Sequence, residues 1–183
     1  MDAVVDLVRG RLPACGTTTV VAIDGPSGAG KSSLADELAR RTGAVVVRTD
    51  DHVPGWRGLA GMPPLLAREL LAPLAVGATA RPRRWSWVRD EWVRGLPLPP
   101  LPILVLDGCG SGSRPLRPYL SALVWVEADA ATRRARALAR DGATYEPWWD
   151  VWADQERVLF AAEGTRAAAD LVLRTDRPSP SGT

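Results

Sequence analysis

Lys31 is the only lysine in the sequence, and it lies in the segment Gly-Pro-Ser-Gly-Ala-Gly-Lys-Ser at residues 25–32. This segment has the pattern GxxxxGKS, in which backbone N–H groups surround phosphate oxygens and the lysine ammonium reaches the β- and γ-phosphates. A planar guanidinium is too broad for that position, so a single lysine among many arginines indicates a specific role. The motif therefore predicts a nucleoside triphosphate site. The residues predicted to contact the nucleotide are Gly25, Pro26, Ser27, Gly28, Ala29, Gly30, Lys31, Ser32 and Ser33.

Acidic residues follow two apolar runs of the chain. Asp50 and Asp51 come after the run Ala-Val-Val-Val-Arg, and Asp107 follows Ile-Leu-Val-Leu. The carboxyl ends of parallel strands form the ligand-binding edge of a sheet, so these carboxylates would face the triphosphate. We expect Asp50 to accept the proton of an acceptor hydroxyl, and Asp107 to hold Mg²⁺ together with the Ser32 hydroxyl. Whether Asp50 or Asp51 is the base stays open, and a solvated Asp-Asp turn is the alternative.

Three arginines recur at helical spacing later in the chain. Arg133, Arg136 and Arg140 stand at i, i+3 and i+7, which puts them on one face of a helix. Asp129 is a suitable N-cap for this helix, and Gly142 is a suitable C-terminal stop. Held over phosphates, the guanidinium groups would stabilise charge on the transferred group. A solvated face on an alanine-rich helix is the alternative interpretation.

The segment 52–102 is dense in proline, tryptophan and arginine. A long insertion before a sheet strand is usually functional, and aromatic planes beside arginines would suit an acceptor site. Packing is the alternative for most of the eight tryptophans, and it is the expected role of Trp125. For His52 we expect a local hydrogen bond rather than proton transfer. The residues predicted to bind the acceptor are Asp51, His52, Arg83, Arg84 and Trp87.

The apolar runs predict a parallel sheet covered by helices on both faces. A strand, a glycine loop and a helix in succession are the context that the GxxxxGKS motif requires. The predicted strands are residues 17–23, 44–47, 103–106, 122–126 and 171–173. The predicted helices are residues 2–10, 31–42, 64–74 and 129–142.

A chain of 183 residues suits one domain, which we place at residues 1–175. Within it we expect an insertion at 52–102 and a lid at 129–150. Residues 176–183 are rich in proline and serine and are expected to form a disordered tail.

Charge and cysteine content exclude several classes of function. A net charge of +2 gives no global argument for a nucleic-acid or membrane partner, and no apolar run reaches the roughly 20 residues of a membrane span. Acidic residues interrupt the apolar N-terminus, so a signal peptide is not expected. Cys15 and Cys109 are far apart and His52 is the single histidine, which excludes a disulfide framework or a Cys/His zinc site and favours a cytoplasmic location.

Taken together, the motifs resemble those of uridine kinase-like P-loop kinases, which are related to nucleoside and nucleotide kinases. The resemblance covers about residues 18–175 and rests on the glycine loop, Asp50-Asp51, Asp107-Gly108 and the arginine helix. The Asp-Asp-x-x-Pro-Gly-Trp segment that ends at Trp56 and the late Trp152-x-x-x-Glu156 also contribute. The resemblance implies a P-loop NTPase fold of three α/β/α layers, with a five-stranded parallel sheet, a helical insertion and a lid.

The same resemblance implies an ATP- and Mg²⁺-dependent kinase that phosphorylates a hydroxyl of a small molecule, with a nucleoside as one candidate. The residues that match catalytic positions of such kinases are Lys31, Asp50, Arg133, Arg136 and Arg140. Two other classes stay open: a non-catalytic nucleotide-binding regulatory module, and a protein that binds single-stranded nucleic acid through residues 81–94. A GTPase is disfavoured, because a chain without asparagine has no Asn-Lys-x-Asp motif.

Overall fold

The computed structural model describes residues 1–176, so the predicted tail lies, apart from its first residue, outside the described residues. Within residues 1–176, no helix is long and apolar enough to cross a membrane. The strands are β1 (Thr19–Asp24), β2 (Val45–Arg48), β3 (Arg84–Ser86), β4 (Glu91–Val93), β5 (Ile103–Asp107), β6 (Ala122–Glu127) and β7 (Leu171–Arg174). The α-helices are α1 (Asp2–Arg9), α2 (Lys31–Thr42), α3 (Met62–Leu66), α4 (Ala72–Ala75), α5 (Ala130–Asp141), α6 (Trp149–Glu163) and α7 (Thr165–Ala168).

Five of the strands form one parallel sheet in the order β2-β5-β1-β6-β7. Ile23 of β1 and Arg48 of β2 both pair with Asp107 of β5, so the carboxyl ends of these strands lie at the same edge. The predicted parallel sheet is confirmed, and every predicted strand is present close to its expected position. The loop that carries Lys31 therefore starts from the central strand.

Buried side chains on the two faces of the sheet form two separate cores. Successive residues of a strand point to opposite faces. In β1, Val21 and Ile23 pack in the core that α1 and α2 cover, while Val20 belongs to the opposite core with α3, α4 and α6. The chain thus has three layers, with helices on both sides of the sheet.

Glycine and an acidic cap define the two helices next to the site. Gly30 and Gly43 flank α2 in the left-handed conformation, with φ of 97° and 72°. The Asp129 carboxylate accepts a hydrogen bond from the backbone N–H of Thr132 at 2.8 Å and caps α5, as the sequence predicted. These caps fix where each helix begins and ends.

The segment 52–102 contains one long helical run and a short hairpin. A π-helical turn, Ala67–Leu71, joins α3 to α4, and the helix predicted at 64–74 lies inside this run. β3 and β4 pair antiparallel as a two-stranded sheet, which the sequence did not indicate. Trp125 of β6 is buried and packs edge-on against Phe160, so its predicted packing role is confirmed.

Leu104 lies fully buried in β5, whereas Leu96 is 78% exposed. Leu104→Ala should lower the free energy of unfolding by about 2–5 kcal/mol, because it leaves a cavity beside the central strands. Leu96→Ala, the same change at the surface, should alter it by less than about 0.5 kcal/mol. Urea unfolding followed by circular dichroism measures both, and equal effects would contradict this description of the core.

Candidate active site

The glycine loop follows β1 and lies against backbone on two sides. Gly25, Gly28 and Gly30 have φ of 138°, 77° and 97°. A Cβ atom at Gly25 would overlap the carbonyl oxygen of Val126, and one at Gly28 would overlap that of Arg133. Glycine is therefore needed both for the backbone conformation and for the close approach of β6 and α5.

The Lys31 side chain is buried at the start of α2, with 7% exposure. Its Nζ donates to the carbonyl oxygen of Pro26 at 3.0 Å and lies 3.5 Å from Sγ of Cys109. Burial by itself lowers the pKa of Lys31, but Cys109 and the carboxylates of Glu156 and Asp107 outweigh this and raise the pKa. The ammonium group is thus held charged beneath the loop.

A cavity of about 290 Å³ opens above Lys31, and we call it the loop cavity. It brings together residues from the glycine loop, from the turn after β2, from the segment after β5 and from α5. Asp50, Arg136 and Arg140 are among the predicted site residues that it includes. Its lining residues are Ser27, Gly28, Gly30, Lys31, Ser32, Ser33, Asp50, Gly108, Cys109, Arg136, Ala137 and Arg140.

Ser32 and Asp107 form the pair that could hold a divalent cation. The Ser32 hydroxyl donates to Oδ2 of Asp107 at 2.9 Å, and Arg48 donates to the same oxygen. The second carboxylate oxygen of Asp107 is buried and has no hydrogen-bond partner among the described residues. One hydroxyl and one carboxylate suit Mg²⁺, which takes its other ligands from phosphates and water.

That donor set is distinct from an all-protein metal site. Within residues 1–176, no group of three or more histidine, cysteine, aspartate or glutamate side chains is arranged to hold a metal ion. An ion bound only by Ser32 and Asp107 would depend on phosphate oxygens for the rest of its shell. The site therefore fits a cation that arrives with a phosphate ligand.

Asp50 lies where the loop cavity meets a second cavity. Asp50 is an exposed residue that lines both cavities, and its carboxylate is partly desolvated by the protein around them. This desolvation raises the pKa of Asp50, Asp107 and Glu156 raise it further, and Lys31 and Arg140 oppose the shift. A carboxylate with a raised pKa is suited to taking up a proton.

The second cavity has a volume of about 460 Å³ and is lined by four aromatic side chains, so we call it the aromatic cavity. It shares Ser27, Asp50 and Arg140 with the loop cavity. Its walls come from the turn after β2, the β3–β4 hairpin, and the chain from α5 to α6. Its lining residues are Ser27, Asp50, Trp56, Trp87, Arg140, Asp141, Thr144, Tyr145 and Trp152.

The three arginines of α5 have different partners although they share a helix face. Arg133 donates to the carbonyl oxygen of Ser27 at 3.2 Å and so braces the glycine loop. Arg136 reaches Thr175 with bonds of 2.9 and 3.0 Å. Arg140 pairs with the neighbouring Asp141. Arg136 and Arg140 line the loop cavity, whereas Arg133 is not among its lining residues and contacts the loop through the Ser27 carbonyl oxygen.

Of the predicted acceptor residues, Trp87 is the one that lies in the aromatic cavity, where its Nε1 donates to the carbonyl oxygen of Asp50 at 3.2 Å. Asp51, His52 and Arg84 line a separate cavity of about 210 Å³ beside β2. Arg84 pairs with Asp51 at 2.8 Å, so Asp51 is turned away from Asp50.

Arg83 and His52 hold the hairpin segment in place. Nδ1 of His52 donates to the carbonyl oxygen of Arg83 at 2.7 Å, and burial lowers the pKa of this histidine. The Arg83 guanidinium pairs with Glu69 at 3.1 Å and lies over the Trp92 ring. The structure thus does not bring these two residues to the loop or aromatic cavity.

Asp24, at the end of β1, is a fully buried residue of the site that the sequence did not reveal. Its carboxylate accepts backbone N–H bonds from Gly25 at 2.7 Å and from Gly110 and Gly112 at 2.8 Å each. Burial raises the pKa of Asp24 to about 6, against the lowering effect of these bonds. Asp24 ties the glycine loop to the segment after β5. Its position directly before Gly25 was the available signal.

Glu156 of α6 is the second site residue that the sequence left without a role. Its Oε1 accepts from the backbone N–H of Ser27 at 2.7 Å and from Nε1 of Trp152 at 2.9 Å. The thiol of Cys109 lies 3.1 Å from the same oxygen. The spacing of Trp152 and Glu156, one helical turn apart, was the available signal.

Solved structures resemble this chain over most of its length. A possible uridine kinase from Bacillus stearothermophilus is 18% identical, with a TM-score of 0.61 and coverage of 94% of this chain and 96% of that one. A putative fructose transport system kinase from Silicibacter sp. TM1040 is 20% identical, with a TM-score of 0.60 and coverage of 93% and 97%. The chain therefore has the same fold as these two solved structures.

A third solved structure shares this architecture at lower similarity. Shikimate kinase from Acinetobacter baumannii is 16% identical, with a TM-score of 0.52 and coverage of 90% of this chain and 88% of that one. No protein-family model matches the sequence, and no curated protein matches it significantly. The predicted fold of three α/β/α layers with a five-stranded parallel sheet is confirmed.

Gly28 and Gly43 offer a matched test of how the P-loop packs. Both have positive φ, but a Cβ atom at Gly43 would have no other atom within 4 Å. Gly43→Ala should lower the free energy of unfolding by about 1 kcal/mol through backbone strain alone. Gly28→Ala adds the clash with α5 and should cost about 2–5 kcal/mol. Denaturant unfolding measures both, and an equal loss would mean that α5 does not press on the loop.

Proposed function

We propose that this protein is a kinase that transfers the γ-phosphoryl group of ATP to a hydroxyl of a small molecule. The observation that supports it is the meeting of two cavities at Asp50. The loop cavity lies over Lys31, and the aromatic cavity is lined by four aromatic side chains. A donor and an acceptor bound in these cavities would react where the cavities join.

The P-loop would hold the triphosphate through backbone N–H groups and the Lys31 ammonium. The N-terminus of α2 adds the positive end of its helix dipole to the same place. Ser32 and Asp107 would hold Mg²⁺, since Asp107 retains a buried oxygen without a partner. When bound, Mg²⁺ would withdraw charge from the phosphate oxygens.

Asp50 would act as the general base. The acceptor hydroxyl gives its proton to the Asp50 carboxylate while its oxygen forms a bond to the γ-phosphorus. The bond between that phosphorus and the bridging oxygen breaks, and ADP leaves with the electron pair. The raised pKa of Asp50 supports this role, because a general base works best when its pKa lies closer to the working pH.

Arginines of α5 would stabilise the charge on the transferred group. Arg136 and Arg140 line the loop cavity and are available for this task. Arg133 would instead keep the loop in its binding shape through the carbonyl oxygen of Ser27. We therefore assign transition-state stabilisation to Arg136 and Arg140 and positioning to Arg133.

Lys31→Ala should weaken ATP binding roughly 10–100-fold, the usual worth of a hydrogen bond from a charged group, and should abolish most turnover. Arg40→Ala is the matched control, because Arg40 is an exposed cation on the same helix that pairs only with Glu37 in the described structure. Calorimetric titration with ATP and Mg²⁺ measures both. Wild-type affinity in Lys31→Ala would contradict the assignment of the loop.

Asp50→Asn should keep ATP affinity and reduce turnover by about 10²–10⁴, the usual contribution of a general base. Asp51→Asn is the control at the next position, because its carboxylate faces Arg84 outside both cavities, and its turnover should stay within about twofold of the wild type. The acceptor for the assay comes from a mass-spectrometric screen of hydroxyl compounds for an added phosphate, with ATP and Mg²⁺.

The pH dependence gives a second readout of the same assignment. Asp50 must be ionised to accept a proton, so the rate should rise with pH through its pKa, which lies above the ordinary aspartate range. Asp50→Asn should lose this rise. Undiminished turnover in Asp50→Asn would remove Asp50 from the mechanism, and ATP binding without any phosphorylated product would leave a regulatory nucleotide-binding module.

A further inference from the structure

We propose that the phosphoryl acceptor is an alcohol carrying an organic ammonium group, and that this cation binds in the aromatic cavity. This inference rests on the proposed kinase function and names the class of its substrate. Three properties of the aromatic cavity support it: the composition of its walls, the arrangement of its rings and the balance of its charges.

The walls of the cavity present several aromatic rings in mutual contact. Trp56 stands at the centre: its ring centroid lies 4.9 Å from that of Trp87, 5.5 Å from Tyr145 and 6.2 Å from Trp152. The faces of such rings carry negative electrostatic potential, which attracts a cation at close range. Aromatic cages of this kind suit quaternary and substituted ammonium groups.

The arrangement of the rings does not form a slot for a flat ligand. A planar ring inserted between two parallel rings needs them about 7 Å apart, twice the van der Waals contact distance. The parallel neighbours of Trp56 are Tyr145 at 5.5 Å and 15°, and Trp148 at 5.7 Å and 4°. These pairs already touch. The other contacts of Trp56, with Trp87 and Trp152, are tilted or edge-on, so neither pair forms two parallel walls for a flat ligand.

The charges at the cavity favour a cation over an anion. Asp50 and Asp141 contribute carboxylates, and Arg140 is the one basic residue of the lining. Nε and Nη2 of Arg140 already donate to the Asp141 carboxylate at 2.6–3.0 Å. The Asp141 carboxylate thus partly neutralises Arg140, and the lining carries two carboxylates against one guanidinium, which disfavours an acceptor with a phosphate or carboxylate group. An ammonium group would face aromatic rings in a lining with more acidic than basic side chains.

The position of the cavity is also suitable for the reaction. Its volume of about 460 Å³ is within the usual range for a small-molecule site. Because Asp50 lies at the junction with the loop cavity, an acceptor whose hydroxyl lies at Asp50 would extend its other end toward Trp56, Trp87 and Tyr145. The cationic end would thus bind against aromatic rings while the hydroxyl faces the transferred group.

A set of matched alcohols tests the charge directly. The probes are ω-trimethylammonio alcohols of increasing chain length, beginning with choline. Each is paired with the neutral alcohol in which a tert-butyl group replaces the trimethylammonio group. An ω-hydroxy carboxylate series serves as the anionic comparison. With the wild-type protein, ATP and Mg²⁺, at least one ammonium alcohol should bind roughly tenfold more tightly than its neutral partner and should become phosphorylated. Calorimetry measures the binding, and mass spectrometry detects the product.

Variants of Trp87 separate the cation–π contact from general damage to the site. Trp87→Leu should weaken binding of the ammonium alcohol roughly three- to tenfold, with little change for the neutral alcohol, and Trp87→Phe should recover part of the loss. A loss that is equal for both alcohols would indicate only a damaged cavity and would overturn the inference.

The outcomes also distinguish this inference from the proposed function. If no ammonium alcohol binds saturably, the inference is wrong. If a neutral or anionic alcohol is phosphorylated in preference, the inference is wrong while the kinase function stands. If the wild-type protein does not bind ATP at all, the proposed function itself is wrong.

Discussion

Direct backbone contact at Gly25 and Gly28 is the constraint on which the rest of the site depends. The P-loop can lie against β6 and α5 only because neither residue has a side chain. Asp24 adds an electrostatic tie, since its buried carboxylate binds N–H groups on both the loop and the segment after β5. The glycine loop, the segment after β5 and α5 are therefore held together by direct contacts, and a shift in any of them would disturb the others.

The sequence predicted the parts of this frame that have local signals. Apolar runs located the parallel strands, the glycines predicted the shape of the loop, and Asp129 predicted the start of α5. The β3–β4 hairpin was missed because three-residue strands carry almost no periodicity. The partners of the arginines were also beyond prediction: helical spacing gives a common face, but only tertiary packing decides that Arg133 braces the loop while Arg140 reaches the cavities.

Glu156 shows how the two cavities are physically coupled. One carboxylate oxygen accepts from the Ser27 backbone in the P-loop and from the Trp152 indole in the aromatic wall. A buried acceptor shared by two donors resists displacement, because moving either donor leaves a polar group without a partner. A ligand in the aromatic cavity that moves Trp152 would therefore also disturb the hydrogen bond between Glu156 and the Ser27 backbone. Such a connection would suit the proposed enzyme, which must align two substrates. Glu156 of α6 provides it, although α6 lies outside the glycine loop.

In the proposed mechanism, substrate selection and proton transfer both involve Asp50. Its pKa is raised by partial desolvation and by the neighbouring carboxylates, which would make it a stronger base but would also favour its protonated, inactive form. A cation arriving in the aromatic cavity would favour the ionised form, because an opposite charge nearby lowers the pKa of a carboxyl group. A neutral acceptor would leave this balance unchanged, and an anionic one would shift it toward protonation. The same charge that selects the acceptor would thus prepare the base, so that Asp50 is ionised when a suitable hydroxyl is present.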